Sequence, residues 1–510
     1  MSRPEKDGSA AGNHAAILLP EPKVRKRTPV AVSRRQKAAR GVLVVILLKV
    51  TGTGIARLAQ LVIPLFLLPT DLGIFALAAV FSGLLLLVGE LGLTTELLRR
   101  RERVSETMNT AFVLRTVLGL GLLGASVPVA YGVALAYREA QVALPIVVLS
   151  LGLLFHAVVM VPRVVAARDL DFRRSLAPDS VGKYTVSIAT IGFAVLGLAF
   201  WSPVFGTLLG YGVGTVLQLA VTKWRPRWEF RADLARSLLR FGRYITLATL
   251  MTSVAQSLDT AVVGLLLGVG SLGVYALALS WGVFLTSNLS SVFSTVAYPV
   301  LAEASDAPAR MRRAFLENLR YYTYLAVALS LGVVVFAPLF VTALYAAQWG
   351  PAIVPMQILA VGGLLMGYGQ VASDTLYALG QPRKVLLAAV AQAGVLVGAL
   401  LTGTLVFGIL GTSVAVVLGT AVVAVAMMRP AGKAAGVPLR EGIAITARPL
   451  ASGAIAAIAG LAATWVVPPT LPGLLIAGAV FLGTYIAALQ GLTRGGFLAE
   501  VRKMLRLAVT

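Results

Sequence analysis

The chain has 510 residues, 58% of them hydrophobic and 13% charged, with a mean hydropathy of +0.87. This excludes a water-soluble globular protein and leaves room for many membrane spans of about 20 residues each. The absence of cysteine, with only His14 and His156, excludes a disulfide framework, thiol chemistry and a histidine-rich metal site, and the net charge of +23 is first a matter of where the cations sit relative to a membrane.

Residues 1–40 carry ten lysines and arginines among Pro, Ser and Gly, with no apolar period, the composition of a disordered basic tail. The first apolar run follows this long polar lead and is of spanning length, which argues against a secretory signal. From residue 42 such runs recur with short polar breaks, and about fourteen transmembrane helices are expected, among them 71–94, 143–162, 181–201, 244–268, 272–298, 386–407 and 411–428. Forty of the 44 lysines and arginines fall in the tail and alternate loops, one (Arg138) on the opposite side, and three (Lys49, Arg57 and Arg115) inside spans. That asymmetry sets both termini in the cytoplasm and brings the basic loops to anionic membrane lipids, so nucleic acid is not an expected partner.

The chain also repeats itself. Leu72-Gly73-Ile74-Phe75-Ala76-Leu77-Ala78 returns as Leu272-Gly273-Val274-Tyr275-Ala276-Leu277-Ala278, and the segment from Pro145 to Arg174 is echoed from Pro355 to Lys384. Asp71 and Ser271, just before the repeated motif, are placed to cap a helix start, so each copy reads as a tight external hairpin whose Gly73 or Gly273 allows close backbone approach. The fold class is all-α: a first six-helix lobe over 41–222, a second over 244–428, and two further transmembrane helices over 429–492. An even number of spans per copy makes the repeats parallel, with a substrate path between the lobes. Residues 223–243 read as an amphipathic linker, with Trp228, Phe230, Leu234, Leu238 and Phe241 set among Arg231, Arg236 and Arg240 for a helix in the headgroup plane. Residues 493–510 read as a basic amphipathic tail on the same pattern.

A charge at the middle of a span costs about 2.5–3.5 kcal/mol on insertion scales, so each needs a partner, water or a task. Lys49, Thr53, Arg57 and Gln60 form one polar stripe on the first span. At ~1.5 Å per residue, Lys49 lies roughly 10 Å in and Arg57 roughly 22 Å in. With Arg115 and Lys183 they give the first lobe an inner wall that attracts anions, and guanidinium groups suit phosphate. Glu90, Asp259 and Asp374 are the acids of the set, candidates for gating or ion coupling. Lys49 is placed to pair with Glu90, and Arg57 with Asp259 across the central path. The span-8 face of Ser287, Asn288, Ser291, Ser294 and Thr295 suits sugars or water. His156, alone on an apolar helix, reads as a packed residue.

Several further motifs follow in order: Leu68-Pro69-Thr70-Asp71-Leu72-Gly73, Leu97-Leu98-Arg99-Arg100, Leu170-Asp171-Phe172-Arg173, Leu239-Arg240-Phe241-Gly242 leading to Leu258-Asp259, Tyr298-Pro299-Val300-Leu301, and Leu379-Gly380-Gln381-Pro382-Arg383. In this order the chain resembles the multidrug/oligosaccharidyl-lipid/polysaccharide (MOP) exporter superfamily, in its polysaccharide-transporter branch of Wzx-type flippases. The resemblance implies two MATE/MOP-like bundles that alternate between inward-open and outward-open forms around a lipid-linked oligosaccharide.

The expectation is therefore a transporter and not an enzyme: a flippase that moves a polyprenyl-pyrophosphate-linked oligosaccharide across a bacterial cytoplasmic membrane for export of a surface polysaccharide. No cofactor is expected, and coupling would be to Na⁺, H⁺ or the membrane potential. Expected partners are the lipid-linked cargo, anionic lipids, and a glycan polymerase or glycosyltransferases. A drug or cation exporter of the same fold calls for an acidic cavity. A membrane-embedded glycan polymerase or ligase calls for a long external loop.

Overall fold

In the computed structural model, residues 51–493 are described apart from Thr53, Arg101, Leu170, Asp171 and Lys223. The basic tail over 1–40, Lys49, Thr53 and the amphipathic segment from Phe497 lie outside the described residues. No strand occurs among those described. The helices are α1 (Gly54–Leu65), α2 (Pro69–Glu90), α3 (Leu93–Arg99), α4 (Val104–Tyr137), α5 (Ala143–Ser150), α6 (Gly152–Arg168), α7 (Phe172–Val195) and α8 (Trp201–Val221). They continue as α9 (Ala232–Gly282), α10 (Phe284–Glu303), α11 (Pro308–Leu344), α12 (Ile353–Ala378), α13 (Pro382–Ala434), α14 (Leu439–Val466) and α15 (Leu471–Leu492). Ten helical stretches among the described residues are long and apolar enough to cross a membrane. Their outer faces expose large apolar side chains such as Phe407, Val425, Ile458 and Trp465, which suits a hydrocarbon solvent.

Two of these helices are hairpins that reverse at a glycine. In α9, Gly268 has φ +80° and ψ 171°, and the Tyr275 hydroxyl donates to Asp259 at 2.6 Å. Sixteen residues of straight helix would hold that pair about 24 Å apart, so the chain folds back on itself at Gly268. In α13 the reversal is Gly408, φ +61°, and Thr404 and Thr412 meet hydroxyl to hydroxyl at 2.8 Å. A side chain at such a φ is strained, and glycine is not. These two glycines stand where the sequence places the 7–8 and 11–12 span boundaries. The expected cap at Ser271 is not used, since helix resumes at Val269. Asp71 does act at its helix start, but from the third position, accepting the amide of Leu68 at 3.0 Å.

The two halves meet at the hairpin end, where Pro69, Gly268 and Trp349 lie, and again nearer the basic end, where Gly242 abuts the carbonyl of Leu91 and Gly92 the side chain of Ile245. Each repeated glycine abuts the other copy: a Cβ on Gly73 would strike the carbonyl of Val269, and one on Gly273 that of Pro69. Ile74, Leu77 and Ala78 and their counterparts Val274, Leu277 and Ala278 are buried in one core. Tyr137 donates to the carbonyl of Ala261 at 3.2 Å, Tyr345 to that of Leu61 at 3.1 Å, and the Trp349 indole to that of Pro64 at 3.1 Å. The opposite, basic end is organised by α3: Glu96 pairs with Arg99 at 2.9 Å, and Arg168 donates to the carbonyls of Leu97 and Arg100 at 3.1 and 2.7 Å.

The linker differs from its expectation. There is no separate headgroup helix over 228–241. Residues 224–231 are irregular, and the remainder is the start of α9. Leu238 buries beside the α3 and α4 residues Leu97, Met108 and Phe112, and Leu234 is buried as well. Trp224 and Trp228 stand edge-on to Phe112 at 5.8 and 5.7 Å. Arg103 bonds Asp233 at 2.9 Å, and Asn109 donates to Glu229 at 2.9 Å. The amphipathic pattern is real, but Leu234 and Leu238 are covered by protein while Trp228 and Phe230 stay exposed.

Candidate substrate cavity

Within the first bundle, α2, α3, α4, α6 and α8 enclose a cavity of about 380 Å³ lined by Glu90, Thr94, Arg115, His156, Arg163 and Tyr211 together with Leu86, Leu87, Val159 and Met160. Arg115 is 6% exposed. Its Nη1 donates to the Met160 sulfur at 3.5 Å, and no carboxylate stands within 4 Å of it among the described residues. A guanidinium buried on those terms keeps most of its hydrogen-bonding capacity for an incoming acceptor. Glu90 lines the same wall, accepting from Thr94 at 3.3 Å.

A smaller chamber of about 80 Å³ adjoins, sharing His156, Arg163 and Tyr211 and adding Asp179 and Lys183. There Asp179 bridges two cations, with Arg163 Nη2 at 2.8 Å and Lys183 Nζ at 2.8 Å. His156 packs edge-on to Tyr211, 4.9 Å between centroids. The cations of the joined chambers are Arg115, Arg163 and Lys183 and the acids Glu90 and Asp179, leaving an excess of positive charge.

Arg115, Glu90 and Lys183 are therefore brought together around this space, while Arg57 and Gln60 are not. Arg57 donates to Gln60 and lies with Cζ 3.1 Å from the ring centroid of Phe284 on α10, so α1 reaches across to the second half by a cation–π contact. The Arg57–Asp259 pair does not form. Asp259 is 8% exposed and is held inside the α9 hairpin by Tyr275 and by the amide of Thr260 at 2.7 Å. The proximity of the two arms at Gly268 gives the acid a neutral donor nearer than any guanidinium. A Lys49–Glu90 pair falls outside the described residues.

Asp374 is 4% exposed and accepts from Ser294 at 3.1 Å and Gln370 at 2.8 Å. Most of the expected hydroxyl face on α10 serves its own helix: Ser287 and Asn288 donate to the carbonyl of Phe284, and Thr295 to that of Val292. Ser294 is the member that reaches another element.

Sequence reasoning missed Arg163 and Asp179. Both lay just outside expected spans, at 162 and 181, whereas α6 continues to Arg168 and α7 begins at Phe172. The Asp179–Lys183 spacing of four, with the acid first, was the available signal.

A family model described as "Polysaccharide biosynthesis protein" matches residues 62–354. The chain is 24% identical over 310 residues to the lipopolysaccharide biosynthesis protein WzxC of Escherichia coli (strain K12), covering 58% of this chain and 61% of that one. It is 21% identical over 292 residues to the teichuronic acid biosynthesis protein TuaB of Bacillus subtilis (strain 168), covering 55% and 58%. To the succinoglycan biosynthesis transport protein ExoT of Rhizobium meliloti (strain 1021) it is 21% identical over 413 residues, covering 80% and 83%. The chain thus spans about six-tenths of the length of the first two. Among solved structures, it is similar in fold to the lipid II flippase MurJ in an inward closed conformation, with a TM-score of 0.72, 14% identity, and 88% and 99% of the two chains covered. It is also similar to an inward-facing multidrug resistance MATE family transporter of the MOP superfamily, with a TM-score of 0.58, 17% identity, and 75% and 94% covered.

Proposed function

Because the chain belongs to the polysaccharide biosynthesis protein family, we propose that it flips a polyprenyl-pyrophosphate-linked oligosaccharide across the cytoplasmic membrane, from the basic end to the hairpin end. The observation that carries this reading is Arg115, buried in a membrane bundle beside Arg163 with no carboxylate within 4 Å among the described residues. A pyrophosphate cannot cross about 30 Å of hydrocarbon unaided, whereas a prenyl tail is at home there. The named roles of the relatives in lipopolysaccharide, teichuronic acid and succinoglycan production support a glycan precursor as cargo.

On this reading the basic end faces the cytoplasm, which the distribution of lysine and arginine supports. Arg115 and Arg163 receive the pyrophosphate, and Lys183 is set free when Asp179 yields to the incoming anion. Arg57 on α1, with Lys49 preceding it in the sequence, guides the head inward. Two negative charges moving outward across a membrane with an inside-negative potential of about 100 mV gain roughly 4 to 5 kcal/mol, so the potential favours the step. Asp259, Asp374 and Glu90 are the acids at which Na⁺ or a proton would couple. No step calls for bond cleavage or a cofactor.

Mass spectrometry of lipid-linked intermediates in cells lacking the protein tests the proposal, with sidedness read by a membrane-impermeant glycan-modifying enzyme. A completed prenyl-pyrophosphate glycan accumulates facing the cytoplasm. An unchanged, outward-facing pool overturns the reading.

A further inference from the structure

A second cavity lies away from the arginines of the first bundle. It is a groove of about 700 Å³ between the second half of α13 and the first half of α14, with Leu319 of α11 and Tyr368 of α12 at its floor and Val425, Met428, Ile443 and Leu450 along its walls. It exists because α14 is held by α11 and α15 and scarcely touches α13. Most of its lining is apolar, and the cations at its rim are Arg429 and Lys433, both exposed. They are four residues apart on one face of α13, in its last turns at the basic end.

Neither cation has a hydrogen bond or ion pair with another described residue. The contrast with the far side of α14 is direct: there Glu441 takes Arg312 by both carboxylate oxygens, at 2.9 and 2.7 Å. The groove thus has an apolar length and a cationic mouth, the complement of an anionic amphiphile. It does not suit the ends of this chain, since residues 1–50 and 494–510 are both net positive and would be repelled by the mouth.

We propose that this groove holds an anionic glycerophospholipid of the leaflet at the basic end, its phosphate on Arg429 and Lys433 and an acyl chain along α14. The lipid fills the gap between α13 and α14 and ties the last two helices to the bundle. The site stands apart from the cargo cavity and does not depend on what the cargo is.

The test is native mass spectrometry of the full chain, transferred from nanodiscs of phosphatidylglycerol or of phosphatidylcholine. Wild-type protein retains one more phosphatidylglycerol than R429Q/K433Q, whose affinity falls by about thirtyfold, or about fivefold for each cation. R429K/K433R, which keeps both charges, retains the lipid. Gly442 lines the groove and faces open space, so G442F fills the acyl path with both cations intact and also loses the lipid. An equal count in R429Q/K433Q and wild type, or phosphatidylcholine retained as well as phosphatidylglycerol, overturns the proposal. So does one-for-one displacement by undecaprenyl phosphate, which would make the groove part of the cargo path.

Discussion

Replacing Gly73 by Ala should force the hairpin end apart. The added Cβ falls on the carbonyl of Val269. The obstacle is backbone, which no change of rotamer relieves, so relief comes only from moving α2 away from α9. Overpacking of this kind costs about 1–3 kcal/mol. Charged against the closed arrangement alone, about 2 kcal/mol shifts the closed-to-open ratio by roughly thirtyfold. The chain has no cysteine of its own, so a single reporter pair can be placed at the interface without background. A Cβ at Gly270 would stand 3.5 Å from Cγ2 of Thr70 and more than 4 Å from its Cβ, at the long end of a disulfide geometry that asks for about 3.5–4.5 Å between Cβ atoms. T70C/G270C should cross-link readily under mild oxidant, and adding G73A should slow it at least tenfold in protein that still elutes as a single folded species. Adding G273A should slow it by less than the product of the two single effects, because one separation relieves both contacts. Cross-linking at the same rate with and without G73A would refute the reasoning.

Arg115→Ala should lower outward movement of the lipid-linked glycan by about ten- to a hundredfold, the loss of one charge-assisted hydrogen bond of about 1.5–3 kcal/mol. Arg115→Lys should recover part of it, as read by the sidedness assay with surface expression held equal. Phe284→Leu removes the face on which Arg57 rests and should cost about 0.5–2 kcal/mol, visible as faster labelling of a cysteine placed at Leu58, with transport by R57A serving as the comparison. Tyr275→Phe strips buried Asp259 of its 2.6 Å donor and should lower thermal stability by about 1–3 kcal/mol, while Tyr275→Phe combined with Asp259→Asn should lose less than the sum. If Tyr275→Phe melts with the parent, Asp259 does not depend on that bond.

The parts of this protein that were legible in its sequence are those set by solvent and by repetition. Hydrocarbon demands long apolar helices, so the spans could be read from composition. A motif that returns after two hundred residues pointed to Gly73 and Gly273 before any partner was known, and the structure shows that they are each other's partners. What stayed hidden depends on which helix faces lie opposite each other. Asp259 and Arg57 stand at related places in the two halves, yet a single φ of +80° at Gly268 turns Asp259 toward Tyr275. Arg163 and Asp179 were hidden for another reason: helices outrun the hydrophobic window that locates them, and a charged last turn reads as loop. The linker's alternating pattern was sound, but periodicity gives an apolar face without saying whether lipid or protein covers it.

The two halves that repeat one motif and meet through it differ in charge, and the difference bears on mechanism. In the first bundle a buried arginine has no acid within 4 Å and an aspartate is shared between two cations. In the second, Asp259 and Asp374 each rest on neutral hydroxyl and amide donors. Duplication preserves whatever the packing at the twofold contact requires, because a change in one copy there must be matched in the other. It imposes no such condition on Arg115, Asp179, Asp259 and Asp374, whose hydrogen-bond and ion-pair partners lie within their own bundle. On the proposed function this freedom divides the labour: the first bundle binds the anionic head, and the second supplies acids that a cation or proton could neutralise. Exchanging the signs separates that division from a diffuse attraction. Asp374→Asn should alter the response of transport to Na⁺ or to pH while leaving binding of a prenyl pyrophosphate within about twofold, and Arg115→Ala should do the reverse. Loss of binding in Asp374→Asn equal to that in Arg115→Ala would mean that both bundles hold the head together.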